Sequence, residues 1–492
     1  MKQRVVVIGG GIGGLAAAID LAAAGREVVL FEATDRVGGK MGEIRSDGFR
    51  WDTGPSVITM PDVLTGLLRD SGADPDDYLT LQPVEPITRY FWPDGTVLNI
   101  SRDLPRTLDG IRDISEGDVE GWLGFLAYAA RLHRITGPTF LYGPPPKVTD
   151  LFRMKPRDAL NVDGMRTMAA AIDSFVASPL LRQLLKRFAT YVGGDPFRAP
   201  APLNVIADVE INRGVIYPVG GVYAIAAALE RRARELGVSI RPGCRVESIT
   251  VVNGVVRGVA LAGGERADAD VVVANADASD VYESLLPADV IPKKERQRQK
   301  ESEPSSSGFA LLLGIKGQDE RLAHHNILFS FDYQREFREI FDEGVPPSEP
   351  TVYIAITSKT DPDHAPVGCE NWFVLVNAPA LGERWDWAAR SAEYRDRAIE
   401  RIESFGFSVR DRIVAEHILT PEDIARQTGA HRGALYGMSP NGRFAAFRRP
   451  RNRVEAVKGL YLCGGTTHPG GGVPMVVLSG RLAARYAMNE TV

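Results

Sequence analysis

A glycine-rich run near the N-terminus, Gly9–Gly14, constrains the fold more than any other part of the sequence. It reads GGGIGG and satisfies the spacing G-x-G-x-x-G. The apolar run 4–8 before it is typical of a strand buried in a parallel sheet, and the pattern after it predicts a helix over 15–25. A second predicted strand, 27–32, ends in the acidic residue Glu32. This order of strand, glycine turn, helix, strand and acidic residue is typical of a dinucleotide-binding βαβ unit.

Each glycine has a mechanical role in such a unit. Gly9 permits the tight turn, Gly11 lets the backbone approach a pyrophosphate, and Gly14 lets the helix pack closely on the strand. The helix N-terminus then presents unpaired N–H groups to the phosphates. Glu32 is placed to accept hydrogen bonds from ribose hydroxyls. A glycine-rich turn in a nucleotide-free α/β protein is the alternative. The residues predicted to bind the dinucleotide are Gly9, Gly11, Ile12, Gly13, Gly14 and Glu32.

Composition and charge exclude several other classes of protein. The chain has 492 residues, 44% hydrophobic and 25% charged, which is enough for two to three globular domains. Its 58 Lys and Arg nearly balance 63 Asp and Glu, so the net charge of −5 indicates no nucleic-acid partner. Three cysteines without metal-ligand spacing predict no metal site and favour a reducing, cytoplasmic compartment. The glycines of the first apolar stretch predict neither a signal peptide nor a transmembrane helix.

The residues after Glu32 favour FAD over NAD as the dinucleotide. They read ATDRVGGK, and the spacing E-x-x-x-R-x-G-G-[RK] resembles the second signature of the flavin-dependent amine oxidase and desaturase superfamily. That resemblance implies that Arg36, Gly38 and Gly39 meet the FAD phosphates and that Lys40 lies beside the flavin. A solvated turn is the alternative for Arg36 and Lys40.

A narrower resemblance follows at 48–59, which reads GFRWDTGPSVIT. This block is similar to a segment of the bacterial and fungal phytoene desaturases and related carotenoid desaturases. Blocks 217–221, 268–277 and 459–474 agree with it, whereas the resemblance is weak through about 100–200 and 290–430. This resemblance implies further cofactor contacts, and Val246 among them is expected to contact adenine through its backbone. They are Gly54, Pro55, Ser56, Val57, Val246, Asn275, Gly464, Gly465, Gly472, Val473 and Pro474.

The resemblance also implies the domain organisation. The fold class is α/β, with a Rossmann-like FAD-binding domain of the glutathione-reductase/amine-oxidase type assembled from 1–75, 205–292 and 440–492. An α+β substrate domain, built from 76–204 and 293–439, is expected to carry a helical, membrane-facing cap. Residues 131–198 contain eleven Lys and Arg against five Asp and Glu, mixed with large apolar residues, which suits an anionic membrane surface. A solvated helical cap is the alternative. The charged stretch 293–307 is predicted to be a solvated connector.

The activity that the resemblance implies is FAD-dependent carotenoid desaturation. A hydride passes from an allylic carbon of a long polyene to the flavin, and a proton leaves the neighbouring carbon. The substrate is phytoene, a C30 diapocarotenoid, or a hydroxy- or methoxycarotenoid, since the blocks around 433–450 and 472–475 resemble those of 3,4-desaturases. Further-oxidising relatives are also consistent with the sequence. Oxygen or a quinone would reoxidise the flavin.

Three side chains are candidates for catalysis. Asp150 and Arg153 begin a helix-like segment of the cap, where a helix cap and a surface ion pair are the alternative. His468 lies within the glycine block next to the flavin, where a hydrogen-bonded structural role is the alternative. Cys463 is predicted to be a packed apolar thiol.

Two other functions on the same fold remain open. One is a flavin amine oxidase or protoporphyrinogen-type oxidase. The other is a non-catalytic prenyl-lipid carrier, which would not need the intact flavin signatures. The expected partners are an apolar polyene and a membrane lipid surface, and a homo-oligomer is also compatible with the sequence.

Overall fold

The computed structural model describes residues 3–147, 149, 158 and 161–489. Asp150 and Arg153 lie outside the described residues. Strands occupy nineteen segments of the described chain. In chain order they are β1 (Arg4–Ile8), β2 (Glu27–Phe31), β3 (Glu43–Ser46), β4 (Phe49–Asp52), β5 (Leu81–Pro83), β6 (Thr88–Phe91), β7 (Val97–Ile100), β8 (Ile216–Pro218), β9 (Ser239–Arg241), β10 (Val246–Val252), β11 (Val255–Leu261), β12 (Arg266–Asp268), β13 (Val271–Ala274), β14 (Ser307–Lys316), β15 (His325–Leu328), β16 (Val352–Ile356), β17 (Cys369–Ala378), β18 (Ile413–Leu419) and β19 (Leu460–Leu462).

The described chain also contains α-helices of at least four residues. They are α1 (Ile12–Ala23), α2 (Pro61–Asp70), α3 (Leu104–Ile114), α4 (Val119–Thr136), α5 (Met168–Asp173), α6 (Pro179–Lys186), α7 (Tyr223–Glu235), α8 (Lys293–Lys300), α9 (Tyr333–Arg338), α10 (Trp387–Glu403), α11 (Pro421–Thr428), α12 (Ala445–Arg448) and α13 (Val473–Asn489). Among the described residues, no helix is long and apolar enough to cross a membrane.

A five-stranded parallel sheet in the order β19-β13-β1-β2-β9 forms the first layer. Its central strand β1 is a run of β-branched residues, which suits a strand covered on both faces. Helices α1, α7 and α13 pack on one face, and the antiparallel ribbon β10-β11-β12 packs on the other. The glycine turns lie at the carboxyl edge of this sheet, where ligands bind in open α/β folds.

A seven-stranded mixed sheet in the order β18-β14-β17-β16-β15-β6-β7 forms the second layer. Strand β14 is buried on both faces, so its alternate residues enter two different apolar clusters. One face of the sheet packs against α10. The other face contacts Phe49 and Trp51 of β4. A third large apolar cluster joins α3–α6 to Tyr90, Trp92 and Phe329 at the edge of this sheet.

The prediction of a solvated connector over 293–307 was wrong for its last three residues. The structure places α8 at Lys293–Lys300, and Ser305, Ser306 and Ser307 are buried at the start of β14. Ser305 and Ser307 bond to the segment 433–437, since Ser305 N–H donates to Gly437 O and the Ser307 hydroxyl donates to Gly433 O. These serines make the hydrogen bonds that a buried loop needs. Because a solvated connector is rich in the same residue types, composition does not distinguish the two.

Candidate active site

Two glycine loops lie directly against each other at the edge of the parallel sheet. Gly38 N–H donates to Gly10 O at 2.9 Å, and Gly11 forms a parallel bridge with Gly38. A Cβ at Gly39 would be 3.2 Å from the Cα of Gly11. A Cβ at Gly14 would overlap Gly9 O, so side chains are excluded where α1 starts. The backbone of both loops is therefore open to close approach by a phosphate.

Glu32 directly follows strand β2 beside these loops and is 7% exposed. One carboxylate oxygen accepts the Gly10 N–H at 2.7 Å, and the other accepts the N–H and hydroxyl of Thr34, both at 2.8 Å. Val246 begins β10 close by, since Cys244 N–H donates to Glu32 O at 2.8 Å. The acid is thus held at the first glycine turn, the place from which it can reach a ribose.

Asn275, which follows β13, packs between the first glycine loop and the C-terminal glycine block. A Cβ at Gly13 or at Gly464 would be 2.7 Å from its Oδ1. Cys463 is fully buried beside it, and burial raises the pKa of the Cys463 thiol. Glycines from two distant motifs therefore lack side chains for the same reason, because Asn275 occupies the space beside them. Cys463 is a packed thiol.

Lys40 links the glycine loops to the substrate side. Its ammonium donates to Leu435 O at 2.7 Å and to Ala434 O at 3.2 Å. Burial lowers the pKa of Lys40, while the charge of Asp277 acts in the opposite direction. A Cβ at Gly54 would overlap Lys40 O, so the segment Gly54–Val57 passes directly behind the lysine. Arg36 donates to Glu43 O and lies over the Tyr223 ring.

The C-terminal glycine block leads from β19 into α13. Gly464, Gly470 and Gly472 adopt φ values of 104°, 140° and 99°, which favour glycine. Gly471 has a different reason, because a Cβ there would be 2.6 Å from the Tyr436 ring. Val473 and Pro474 form the first turn of α13, with Gly472 exposed in front of them and Gly465 half-buried in the loop.

His468 is 3% exposed within this block. Its Nε2 is 3.1 Å from Gly143 O, and its own carbonyl accepts hydrogen bonds from Asn452 and Ser479. Burial lowers the pKa of His468 to about 4, so the ring is neutral at pH 7. These contacts fix the turn before α13 and match the structural alternative.

The sequence did not identify Arg449 and Tyr436 as part of this site. Arg449 donates to Gly465 O at 3.0 Å and to Tyr436 O at 3.3 Å. Within the described part of the chain it has no ion-pair partner, and burial lowers its pKa to about 10. A guanidinium next to Gly465 adds positive charge beside the N-terminus of α13. The block around 433–450, which contains both residues, indicated only a similarity to 3,4-desaturases.

Comparison with known proteins identifies the cofactor of this site. The family model described as flavin containing amine oxidoreductase matches residues 12–488. The 4,4'-diaponeurosporene oxygenase of Staphylococcus aureus (strain MSSA476) is 36% identical over 499 aligned positions, covering 100% of each chain.

The chain belongs to the flavin-containing amine oxidoreductase family. The protein is an FAD-dependent oxidoreductase, so the predicted cofactor and enzyme class are confirmed and the non-catalytic carrier no longer applies.

Solved structures agree with the fold of this family. An oxidoreductase from Methanosarcina mazei has a TM-score of 0.69 at 18% identity, covering 98% of this chain and 100% of that one. Cyclohexylamine oxidase from Brevibacterium oxydans IH-35A has a TM-score of 0.62 at 15% identity, covering 99% of each chain. The predicted α/β fold of amine-oxidase type is confirmed.

Proposed function

We propose that the protein oxidises an acyclic carotenoid, using FAD as the hydride acceptor. The observation that carries this proposal is the similarity to a diaponeurosporene oxygenase, which covers 100% of each chain. The carotenoid-desaturase blocks at 48–59 and 459–474 support the same substrate class.

Two reactions at the polyene are candidates. The similarity to an oxygenase favours addition of oxygen to the polyene. Desaturation, predicted from the motif resemblance, is the second candidate, supported by the D-x-G-P-S block at 52–56. Both reactions remove a hydride from carbon and leave one proton to be taken up.

The apolar surroundings of the Gly54–Val57 segment support a polyene substrate. Val57 and Tyr353 are half-buried and pack against the helical cluster. Tyr353 also packs against the apolar cluster that contains Phe49 and Trp51. Hydrocarbon walls of this kind bind an apolar chain and exclude water from the reacting carbon.

We use the name glycine cradle for the two glycine loops, Gly9–Gly14 and Gly38–Gly39. The residues in and around it have distinct proposed roles toward FAD. When bound, the flavin accepts the hydride. Glu32 orients the ribose, and the loops around Gly11 and Gly38 hold the phosphates. Lys40 ties the loop to the carbonyls at 434–435. Arg449 and the N-terminus of α13 would place positive charge beside the bound flavin and so favour its reduction.

We also propose that the FAD domain consists of 1–75, 205–292 and 440–492. All five strands of the parallel sheet fall in these ranges. The seven-stranded sheet draws its strands from 76–204 and 293–439, the ranges proposed for the substrate domain.

A basic, apolar patch is the proposed contact with an anionic membrane. We define it by Met165, Phe444 and Phe447 together with Arg443 and Arg448. Met165 is 71% exposed and Phe444 is 55% exposed. Arg443 contacts the Met165 sulfur at 4.0 Å, and both arginines are exposed. Cationic groups around exposed apolar side chains suit an anionic lipid surface.

Expression in cells that make phytoene, hydroxyneurosporene or diaponeurosporene tests the proposed function. Oxygenation gives a product carrying added oxygen, and desaturation gives a product two hydrogens lighter. A Glu32→Ala strain is the matched control, because it should fail to retain FAD. Unchanged pigment mass with all three substrates would contradict the proposal.

A further inference from the structure

A chain of hydrogen bonds joins the Gly54–Val57 segment to the centre of the seven-stranded sheet. The Ser56 hydroxyl is 2.7 Å from the Tyr353 hydroxyl, which is 2.8 Å from Nδ1 of His325. Tyr353 and His325 lie on the neighbouring antiparallel strands β16 and β15. Ser56 lies 297 residues from Tyr353 in the sequence, so the fold brings them together.

The buried end of this chain is a histidine with a free ring nitrogen. His325 is 1% exposed, and its Nε2 has no hydrogen-bond partner among the residues that the structure describes. Burial lowers the pKa of His325, and His324 and Arg187 act in the same direction. The ring is therefore neutral. When Tyr353 donates to Nδ1, the ring proton lies on Nε2.

The open end of the chain reaches the apolar surroundings described above. Ser56 and Tyr353 are both half-buried, so a ligand beside Val57 can contact them. Burial raises the pKa of Tyr353, so a tyrosinate is not stable there.

Other titratable groups surround the pair. The centroid of the His324 ring lies 4.4 Å from that of His325 and 4.9 Å from that of Tyr217. Tyr217 contacts His364, whose Nε2 is 3.4 Å from the partly exposed Asp361. Three of the seven histidines thus lie between the sheet and the surface. The charged groups that also act on Tyr353 or His325 are Arg187, Glu210 and Asp52.

We propose that Ser56, Tyr353 and His325 form a proton relay for the oxidation of the polyene, an inference that rests on the proposed function. A hydride leaves the substrate carbon with both bonding electrons and passes to FAD. The remaining proton comes from the neighbouring carbon in desaturation, or from water added to the oxidised carbon in oxygenation. It binds Tyr353 Oη as the tyrosine's own proton passes to His325 Nδ1. Two electrons and one hydrogen go to FAD, and one proton goes to the protein.

Each member of the relay has a defined role. Tyr353 is the catalytic residue, since it takes the proton directly. Ser56 orients the Tyr353 hydroxyl, and His325 is a positioning residue that accepts the proton through it. Since a tyrosinate is unfavourable here, the proton arrives at Tyr353 Oη as the tyrosine's own proton leaves, and the step ends with the proton on His325.

The experiment compares Tyr353→Phe and His325→Gln with wild-type holoenzyme. His417→Gln is the matched control, because His417 lies in the same sheet and packs on Trp51 outside the relay. Each protein is mixed anaerobically with an acyclic carotenoid in liposomes, in H₂O and in D₂O. The rate of flavin reduction and the carotenoid dissociation constant are both measured.

We expect Tyr353→Phe to slow flavin reduction by about 100-fold or more, the size of a general acid–base contribution. The carotenoid dissociation constant should change little, and the solvent isotope effect that we expect for wild type should disappear. His325→Gln should slow reduction by about tenfold or more, as loss of a positioned acceptor would. His417→Gln should behave as wild type.

Spectra of ¹⁵N-histidine in the holoenzyme give a second measurement that does not depend on turnover. His325 should be neutral with its proton on Nε2, and Tyr353→Phe should change that tautomer. If a sheet variant loses flavin or unfolds, Ser56→Ala tests the relay instead, with slower reduction and a reduced isotope effect expected.

Two results would overturn the relay in distinguishable ways. Wild-type rates and isotope effects in the folded Tyr353→Phe, His325→Gln or Ser56→Ala enzymes would refute the relay and leave the proposed function standing. Failure of every carotenoid to reduce wild-type flavin would refute the proposed function and, with it, the relay.

Discussion

The two sheets of this protein contribute to the active site in different ways. At the edge of the parallel sheet, glycines remove side chains, which leaves backbone N–H groups and one carboxylate at the place where we propose that FAD binds. On the seven-stranded sheet, side chains such as Tyr353 and His325 project toward the Gly54–Val57 segment. The first kind of site depends on local spacing along the chain, whereas the second depends on which distant strands become neighbours.

The largest effect should follow from adding one methyl group to the glycine cradle. A Cβ in Gly14→Ala would overlap the Gly9 carbonyl oxygen. We expect loss of FAD and destabilisation of about 3 kcal/mol or more, from overpacking against a rigid backbone. Gly117→Ala is the control, since no atom lies within 4 Å of its Cβ position. Flavin content and chemical unfolding measure both, and a flavin-replete, stable Gly14→Ala would break the contrast between the sheets.

Removal of the Glu32 carboxylate should have the next largest effect. Glu32→Ala loses the acceptor for Gly10 and Thr34 as well as for the ribose. We expect the FAD dissociation constant to rise by about 10- to 100-fold, since each charge-assisted hydrogen bond contributes about 1.5–3 kcal/mol. Glu27→Gln, on the exposed start of the same strand, should leave FAD affinity unchanged. Equal affinity in Glu32→Ala by fluorescence titration would refute the ribose assignment.

Acid stability distinguishes a structural His468 from a chemical one. Burial lowers the pKa of His468 to about 4, so between pH 6.5 and 4 the unfolded chain binds a proton that the native state does not. The free energy of unfolding therefore falls as the pH falls through this window, by up to about 3 kcal/mol. His468→Gln should flatten that part of the profile and keep flavin reduction close to wild type. A large loss of reduction in a stable, flavin-bound variant would instead place His468 in the chemistry.

The smallest effect concerns the membrane patch. Binding of the protein to anionic liposomes should weaken as salt increases, because surface attraction is screened within a Debye length. Arg443→Glu should lower the sedimented fraction severalfold, each charge near the surface contributing about 1 kcal/mol. Arg266→Glu, on the exposed strand β12 of the FAD side, is the control. Binding that does not change with salt, with lipid charge or in Arg443→Glu would rule out this patch as the membrane contact.

The glycine cradle could be predicted from sequence because its determinants are local. The strand, turn, helix and acid of the βαβ unit lie within about thirty residues, and each has a characteristic composition. Helix α1 begins at Ile12 and ends at Ala23, close to the predicted 15–25. The role of Gly471 was less predictable, because the group it accommodates in this structure is the ring of Tyr436.

The seven-stranded sheet and the relay could not be predicted in the same way. Strand β15 pairs with β6, which joins Asn326 to Arg89 across more than 200 residues. The contact of Ser56 with Tyr353 likewise joins distant parts of the chain, and neither a serine nor a tyrosine in the sequence signals it. Such contacts follow from tertiary packing, which a single sequence does not reveal at this range.

Anaerobic reduction of the purified holoenzyme by an acyclic carotenoid is the most direct test of the central claim. Mixed with diaponeurosporene or phytoene in liposomes without oxygen, the flavin should lose its visible absorbance in a single turnover, while putrescine and cyclohexylamine should leave it oxidised. Flavin that stays oxidised with every carotenoid but is reduced by an amine would contradict the account.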